Sequence, residues 1–576
     1  MQNTRYCLLV LPLQMNVHMN SKQIQYSLLF AALGVFFFIP FNGGVHLFDW
    51  DEINFAEISR EMLLTQDYTR VYVDFAPFWE KPPLFFWMQV LAMRVFGVNE
   101  FAARLPNALI GVATLVLLFN IGRRLYNDRF GYIWAGVYFG SILPFLYFKS
   151  GIIDPYFNFF IFLGIYFFIL FYWKKDKFGH IESKWNPWTY LFIGGFFIGL
   201  GILTKGQVAY LIAALTFFVY WVDQRLRFYV NVPEFLFFTF AATLVTLGWY
   251  GVETAKNGPW FIKEFNLYQY RLFSTPDAGH RGFPAYHFVV LLVGCFPASI
   301  FAIRNFWPMP KEEFAYRKDF KKWMKYLFWV VLILFTIVKS KIVHYSSMCY
   351  FPLTFLAANT IYHILEEGID FSRWMKRLLY IVGGIFVFAT VALPFIGMNV
   401  ESIIPLINDP FAQANLEADV NWTIWQIIPG IFLLALMIYS VRTIVKGQKQ
   451  LGFSVLFAGT AVFVMLTLFF YIGKIESISQ RAAIEFFEER QGEDCYVMTA
   501  GYKSYAHLFY TQKPYEKLYQ QEDREPRKEF MLKGPIDKDV YLVTKIHKTK
   551  EIEQYPEFKE IGRKNGFVFY KRTAKK

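Results

Sequence analysis

Apolar runs of membrane-crossing length recur along this chain, among them Leu28–Phe41, Ile152–Trp173, Trp188–Leu203 and Trp422–Tyr439. A hydrocarbon layer roughly 30 Å thick is crossed by about 20 apolar helical residues. Several such runs in one chain cannot all be the core helices of soluble domains. Composition points the same way, because only 18% of the residues are charged and 55% are hydrophobic, against about 25% charged in soluble domains. The net charge of +13 would suit nucleic acid or anionic lipid. Its placement in short loops between apolar runs argues for membrane topology, so no nucleic-acid partner is expected. The four cysteines, Cys7, Cys295, Cys349 and Cys495, have neither metal-site nor redox spacing.

Thirteen spans can be read, near 25–42, 104–124, 129–148, 152–173, 188–204, 207–222, 232–252, 285–305, 323–338, 342–363, 375–398, 422–442 and 450–472. Leu84–Phe96 is too short for a crossing, lies between Pro82–Pro83 and Gly97, and contains Arg94, so it is expected to lie along the interface. One set of loops then carries Arg123–Arg124–Arg129, Lys174–Lys175–Lys177, Arg225–Arg227, the Arg304–Lys325 cluster, Arg373–Lys376–Arg377 and Arg442–Lys446–Lys449. The positive-inside rule puts that set in the cytoplasm together with the amino terminus. Residues 474–576 differ, holding 21 of the 58 Lys+Arg and no spanning run. Short β-type runs there (Tyr496–Ala500, Val540–Thr544, Gly566–Tyr570) alternate with helical stretches.

The expected fold is therefore an α-helical polytopic membrane protein of about thirteen helices, with a small extracytoplasmic α/β domain at its C-terminus. Residues 1–24 form a cytoplasmic segment, 25–473 the membrane domain with a first outer loop at 43–103, and 474–576 the outer domain. Residues Met1–Met19 receive no role.

The polar residues that could do chemistry fall on the outer side. Asp51 and Glu52 open an amphipathic stretch, where carboxylates are favoured by exposed amides; capping alone would also account for them. Trp79-Glu80-Lys81-Pro82-Pro83 closes the same loop, and a lysine there can hold a lipid phosphate while the glutamate fixes it. Asp154 and Lys205 stand at span ends, where an ionisable group is a functional candidate and snorkelling is the simpler alternative.

Taken in order, DWDEINFAEISREML, EKPPL, GIIDPYFNF and GILTKG resemble the lipid A aminoarabinose transferases and the wider protein O-mannosyltransferase-like group of GT-C glycosyltransferases. The resemblance covers nearly all of the membrane part, with the first-loop motif its strongest element. It implies a GT-C fold, a polyprenyl-phosphate sugar donor such as undecaprenyl-phosphate sugar, and inversion at the anomeric carbon. By the same pattern Asp51 is the catalytic carboxylate with Glu52 beside it, and Asp154 is the second-loop acid. Glu80, Lys81 and Lys205 match positions that hold the carrier phosphate. Asp51 would deprotonate an acceptor hydroxyl or orient a phosphate acceptor that needs no base. Two further outer segments, Phe261–Phe283 with Arg271, His280 and Arg281, and Lys339–Tyr345 with Lys341, His344 and Tyr345, look site-like. Arg271, Lys341 and Tyr345 join the donor-phosphate set. Some relatives bind a metal through the Glu of Glu-Lys and a histidine early in the third outer loop. Here Glu264, Asn266 and Tyr268 stand in that vicinity, with histidines only at 280 and 287, so no divalent metal is assigned.

The expected activity is transfer of a sugar to a lipid A, protein or glycan acceptor on the outer face of a bacterial cytoplasmic membrane. A flippase for the same lipid is the alternative, but flippases tend to show internal repeats and broken mid-membrane helices, and neither is evident here.

Overall fold

The computed structural model describes residues 21–176, 185–275, 282–516, 518 and 523–574, so the first twenty residues, His280 and Arg281 lie outside the described part. Each of the thirteen apolar stretches is helical. In chain order, α1 (Ser21–Phe38) leads into the first loop, which contains α2 (Asp51–Thr65), a two-stranded hairpin β1 (Tyr72–Val73) and β2 (Ala76–Pro77), and α3 (Leu84–Phe96). Then follow α4 (Glu100–Leu125), α5 (Asp128–Phe139), α6 (Ile142–Tyr147), α7 (Asp154–Lys175), α8 (Pro187–Lys205), α9 (Val208–Asp223), α10 (Val232–Asn257) and α11 (Trp260–Ser274). The membrane part continues through α12 (Tyr286–Gly294), α13 (Ala298–Arg304), α14 (Ala315–Ile337), α15 (Tyr350–Glu366), α16 (Arg373–Met398), the short α17 (Val400–Ile403) and α18 (Pro410–Leu416), α19 (Ile428–Val445) and α20 (Lys449–Thr467).

Among the described residues, eight helices are long and apolar enough to cross a membrane, or nine if the bent pair α12–α13 counts as one span. Thirteen crossings are thus not established. Among the other expected spans, α9 has 16 residues, α5 and α6 are separated at Gly140–Ser141, and α14, 23 residues long, carries Arg317, Lys318, Asp319, Lys321, Lys322 and Lys325 in its first half. Between α12 and α13 the chain turns by 114°, where Pro297 removes a backbone donor. Helix α3 buries Leu84, Phe85 and Phe86 against α2 and α4 and leaves Leu91, Val95 and Phe96 exposed, the pattern of a helix lying on a surface.

Aromatic rings fill the membrane core. Phe168 stacks on Phe217 at 3.8 Å and Tyr220 on Trp323 at 3.9 Å. Glycine allows the closest helix approach: a Cβ on Gly195 of α8 would lie 2.3 Å from the Phe238 carbonyl oxygen of α10. Small residues at such crossings let backbones meet where lipid provides no hydrophobic drive.

The last membrane helix runs on through a π turn, Leu468–Ile472, into α21 (Gly473–Ser477), so residue 473 falls inside a helix. Beyond it come α22 (Arg481–Glu488), β3 (Tyr496–Ala500), α23 (Ala506–Thr511), α24 (Arg524–Lys533), β4 (Val540–Lys545), β5 (Lys559–Lys564) and β6 (Phe567–Arg572). The sheet order is β3-β4-β6-β5, with β3 and β4 parallel and the other pairs antiparallel. The parallel pair needs a crossover, and α23 and α24 supply it. This small α/β unit docks on the first loop: Leu47 N donates to the Tyr510 hydroxyl at 2.7 Å, and Arg60 donates to the Lys513 carbonyl at 2.8 Å. Arg527 pairs with Asp74 at 3.2 Å.

Gly195→Ala should destabilise the protein by about 1–3 kcal/mol, the cost of overpacking a tight contact. Gly248→Ala, where an added Cβ meets nothing within 4 Å, should be neutral or stabilising. Thermal unfolding in detergent checks this; equal midpoints for the two variants would contradict the packing.

Candidate active site

Asp51 and Glu52 are the first two residues of α2, where unpaired amides and the helix dipole favour negative charge. Their environments separate them. Glu52 is buried and meets Arg104 of α4 twice, Oε1 accepting from Nε at 3.0 Å and Oε2 from Nη2 at 2.7 Å. It also accepts from Phe48 N at 3.0 Å and Gly151 N at 2.5 Å. Burial pushes its carboxyl up, but the Arg104 charge and these bonds outweigh it and hold the group below its ordinary value. With both oxygens committed, Glu52 is a positioning residue; the catalytic place expected for it is not what the geometry gives. Arg104 completes the knot by donating to the carbonyls of Asn42 and Val45 at 2.8 Å and of His46 at 2.9 Å.

Asp51 instead faces a cavity of about 2280 Å³ and is 32% exposed. Its Oδ2 lies 3.4 Å from Nε2 of His344. Burial raises the Asp51 carboxyl, while the His344 hydrogen bond and the charges of His344, Lys81 and Lys205 pull it lower, for a net value below the ordinary one. The carboxylate therefore stays ionised at neutral pH.

Asp154 opens α7 beside Pro155, and Lys205 closes α8. They meet at 2.6 Å, Lys205 Nζ to Asp154 Oδ1, while Oδ2 of Asp154 is buried without a hydrogen-bond partner. The Lys205 ammonium also lies over the rings of Phe157 at 5.7 Å and Tyr345 at 5.5 Å. Gly206 ends α8 at φ +96°, and a Cβ there would strike the Phe265 ring of α11 at 2.2 Å. The glycine after Thr204-Lys205 is therefore a steric requirement.

Glu80 and Lys81 line the same cavity, with Lys81 Nζ 5.0 Å above the Tyr268 ring and the Arg271 guanidinium 5.3 Å from it. Asp51, Glu80, Lys81, Asp154, Lys205, Arg271 and Tyr345 are thus brought around one space. Lys341 is not. Its ammonium donates to the carbonyls of Phe335 (3.0 Å), Thr336 (2.6 Å) and Val338 (2.6 Å), capping α14, so the phosphate-binding place expected for it is corrected to a helix-end role. Sequence reading missed Arg104, the Tyr268 ring beneath two cations, and Lys503, which reaches the cavity from the C-terminal domain. An arginine at the head of an apolar span was a usable signal for the first.

Among the described residues, the His, Cys, Asp and Glu side chains close enough to share an ion are His46, Glu100 and Glu488, and Glu80 is not among them. On α11 the cavity-lining residues are Asn266, Tyr268, Gln269, Arg271, Leu272 and Phe273.

The apolar lining includes Ile202, Val208, Leu211 and Ala242 of α8, α9 and α10, and Phe37, Leu143, Met465 and Leu466 of α1, α6 and α20. The polar groups around Asp51 complete the lining. Such a chamber exceeds the roughly 300–1,000 Å³ of a drug-sized pocket.

A multi-pass helical membrane protein with an acid-and-lysine chamber of this design has the architecture of a GT-C glycosyltransferase. Residues 80–249 match the family described as dolichyl-phosphate-mannose-protein mannosyltransferase. An undecaprenyl phosphate-alpha-4-amino-4-deoxy-L-arabinose arabinosyl transferase of Pseudomonas aeruginosa is 28% identical over 386 residues, 65% of this chain and 66% of that protein. A homologous transferase of Proteus mirabilis is 27% identical over 61% of each chain. The alignments span about two thirds of the length of these relatives. The crystal structure of ArnT from Cupriavidus metallidurans bound to undecaprenyl phosphate superposes with a TM-score of 0.74 at 16% identity, covering 96% of this chain and 98% of that one. The chain is thus similar in sequence to the aminoarabinose transferases over about two thirds of its length, and similar to ArnT in fold.

Arg104→Met leaves Glu52 buried and unpaired, which typically costs about 3–5 kcal/mol. A lower thermal midpoint together with lost activity is expected; an unchanged midpoint would remove the ion pair from its organising role.

Proposed function

We propose that this protein transfers a sugar from a polyprenyl-phosphate donor to the phosphate of a lipid acceptor on the outer face of the cytoplasmic membrane. The observation that carries this reading is one large cavity that gathers Asp51, Lys81 and Lys205 with apolar side chains of α8, α9 and α10 and of α1, α6 and α20. The polyprenyl tail lies along α8, α9 and α10 and places its phosphate between the two ammonium groups, with Arg271 beside Tyr268 nearby. An acceptor oxygen attacks the anomeric carbon from the opposite face. The C1–O bond to the carrier phosphate breaks, the configuration inverts, and polyprenyl phosphate leaves with its negative charge stabilised by Lys81 and Lys205.

A carboxylate held below its ordinary value is a weak base, which favours an electrostatic role for Asp51. Ionised, it orients the acceptor and stabilises positive charge developing at the anomeric carbon, and a phosphate acceptor already lacks its proton. This supports a phosphate rather than a hydroxyl acceptor. Asp154 holds the Lys205 ammonium in place. The placement of the basic loops supports an orientation with the cavity and residues 474–576 on the outer side.

Asp51→Asn should abolish transfer while the folded protein persists; near-normal turnover at matched expression would take Asp51 out of the reaction. Lys81→Ala should weaken donor binding roughly 10- to 150-fold, from the about 1.5–3 kcal/mol of a charge-assisted hydrogen bond, with a much smaller effect on the acceptor. Lys205→Ala should act likewise, and unchanged donor affinity in both variants would leave the lysines as membrane anchors. Cysteine labelling should find positions 43 and 501 outside and 311 and 447 inside; position 501 in the cytoplasm would overturn the orientation.

A further inference from the structure

Helix α7 begins at Asp154, and Asn158 follows one turn later on the same face, where side chains four apart stand about 5–6 Å from each other. Both residues line the active-site cavity, yet they are only 2% and 3% exposed. The approach to this helix is fixed from α4, where Asn107 donates to the carbonyls of Ser150 at 2.5 Å and Ile152 at 2.6 Å. One polar atom of each side chain is engaged. Asp154 Oδ1 accepts from Lys205 at 2.6 Å, and Asn158 Nδ2 donates to Ser347 Oγ at 2.8 Å. Among the described residues, the other two atoms, Asp154 Oδ2 and Asn158 Oδ1, have no hydrogen-bond partner.

The Asn158 amide is not free to turn over. A serine hydroxyl carries one proton, and Ser347 gives it to the His344 carbonyl at 2.6 Å, with Asp154 Oδ1 further off at 3.5 Å. Towards Asn158 the hydroxyl is therefore an acceptor, so the amide turns its N–H to Ser347 and its oxygen away. Two acceptors remain on one face of α7 with no donor to meet them. A buried acceptor without a donor destabilises a fold, and a ligand in the cavity that brings its own donors relieves this. The place of the pair says which ligand. Asp154 holds Lys205, and the short helix Val343–Cys349 that holds Asn158 also brings His344 to 3.4 Å from Asp51. In the transferase reading, the group attached to a phosphate at Lys205 and attacked beside Asp51 is the sugar.

We propose that Asp154 Oδ2 and Asn158 Oδ1 form a subsite for the sugar of the polyprenyl-phosphate donor, accepting hydrogen bonds from two neighbouring hydroxyl or amino groups of its ring. The inference rests on the transferase reading and deepens it by naming what the sugar must present. A wall of acceptors selects donors, so a ring that is deoxygenated or methylated at these places leaves the oxygens unpaired and is rejected. Asp154 then has two tasks, one for each oxygen: Oδ1 holds the lysine and Oδ2 reads the sugar. Asn158 has the second task alone, which makes it the residue to test.

The experiment is a binding titration without turnover, on the full-length protein in detergent. The reference probe is the methyl ester of polyprenyl phosphate, a phosphodiester with no sugar. The others are polyprenyl phosphates carrying arabinose, glucose or mannose, each also with an amino group in place of one hydroxyl. Wild type should bind at least one sugar-bearing diester about tenfold or more tighter than the methyl ester, the scale of two neutral hydrogen bonds. Asn158→Ala should cut that advantage about 3- to 10-fold and leave the methyl ester unchanged. Ser347→Ala, which frees the amide to turn, should fall between the two and decides the matter if Asn158→Ala does not fold. Removing from the favoured sugar the group that Asn158 accepts should cost wild type as much as the substitution does, and cost Asn158→Ala nothing. An advantage that survives Asn158→Ala, or a loss shared equally by the methyl ester, overturns the subsite. Wild type that binds the methyl ester but gains nothing from any sugar overturns it too, while the donor reading stands. Wild type that binds none of these diesters counts against the transferase reading itself, and the subsite falls with it.

Discussion

The buried Glu52–Arg104 pair is the interaction on which the active site depends. Its five partners beyond the pair lie in two separate stretches of chain, the loop at 42–48 and Gly151 just before Asp154, which the pair ties to the start of α2. An ion pair at this depth contributes little net stability over an apolar substitute, since both charges lose water. What it supplies is geometry, because its bonds tie the loop at 42–48 and Gly151 to α2 and α4. Asp51 is therefore set at the cavity by its neighbour, while its own carboxylate remains available. The same knot aligns the turn that delivers Asp154 to Lys205.

From that fixed floor the rest of the chamber follows. Helices whose apolar faces would otherwise meet lipid leave a space between them, and Asp51, Glu80, Lys81, Asp154 and Lys205 line it together with those apolar side chains. The short or broken helices belong to this arrangement. Helix α9 stops at 16 residues beside the site, and α5–α6 break where α6 turns its leucines into the cavity. The extramembrane unit closes the side that helices leave open, and its contacts converge on residues 46–50.

The membrane class and the four motifs were legible in the amino-acid order because both are local. A 20-residue apolar run states its own environment, and Asp51, Lys81, Asp154 and Lys205 sit in short patterns at the ends of such runs. The number of crossings was less legible, since α12 and α13 read as one run until a 114° turn divides them. Strand β5, Lys559–Lys564, was missed because an exposed edge strand of charged residues shows no apolar alternation. Glu52 and Lys341 were placed in the chemistry on their type and position alone. Only distances show that Glu52 has both oxygens occupied and that Lys341 caps a helix. Lys503 lies more than 400 residues from Asp51 in the chain, so no local pattern could join them.

The central claim is that the donor phosphate lies between Lys81 and Lys205 with its tail along α8, α9 and α10. A cryo-electron-microscopy structure of this protein with polyprenyl phosphate tests it most directly. The account predicts phosphate density within hydrogen-bond reach of both ammonium groups and tail density against Ile202, Val208 and Leu211. Phosphate beside Lys503 and Lys149, with the tail between α1 and α20, would contradict it.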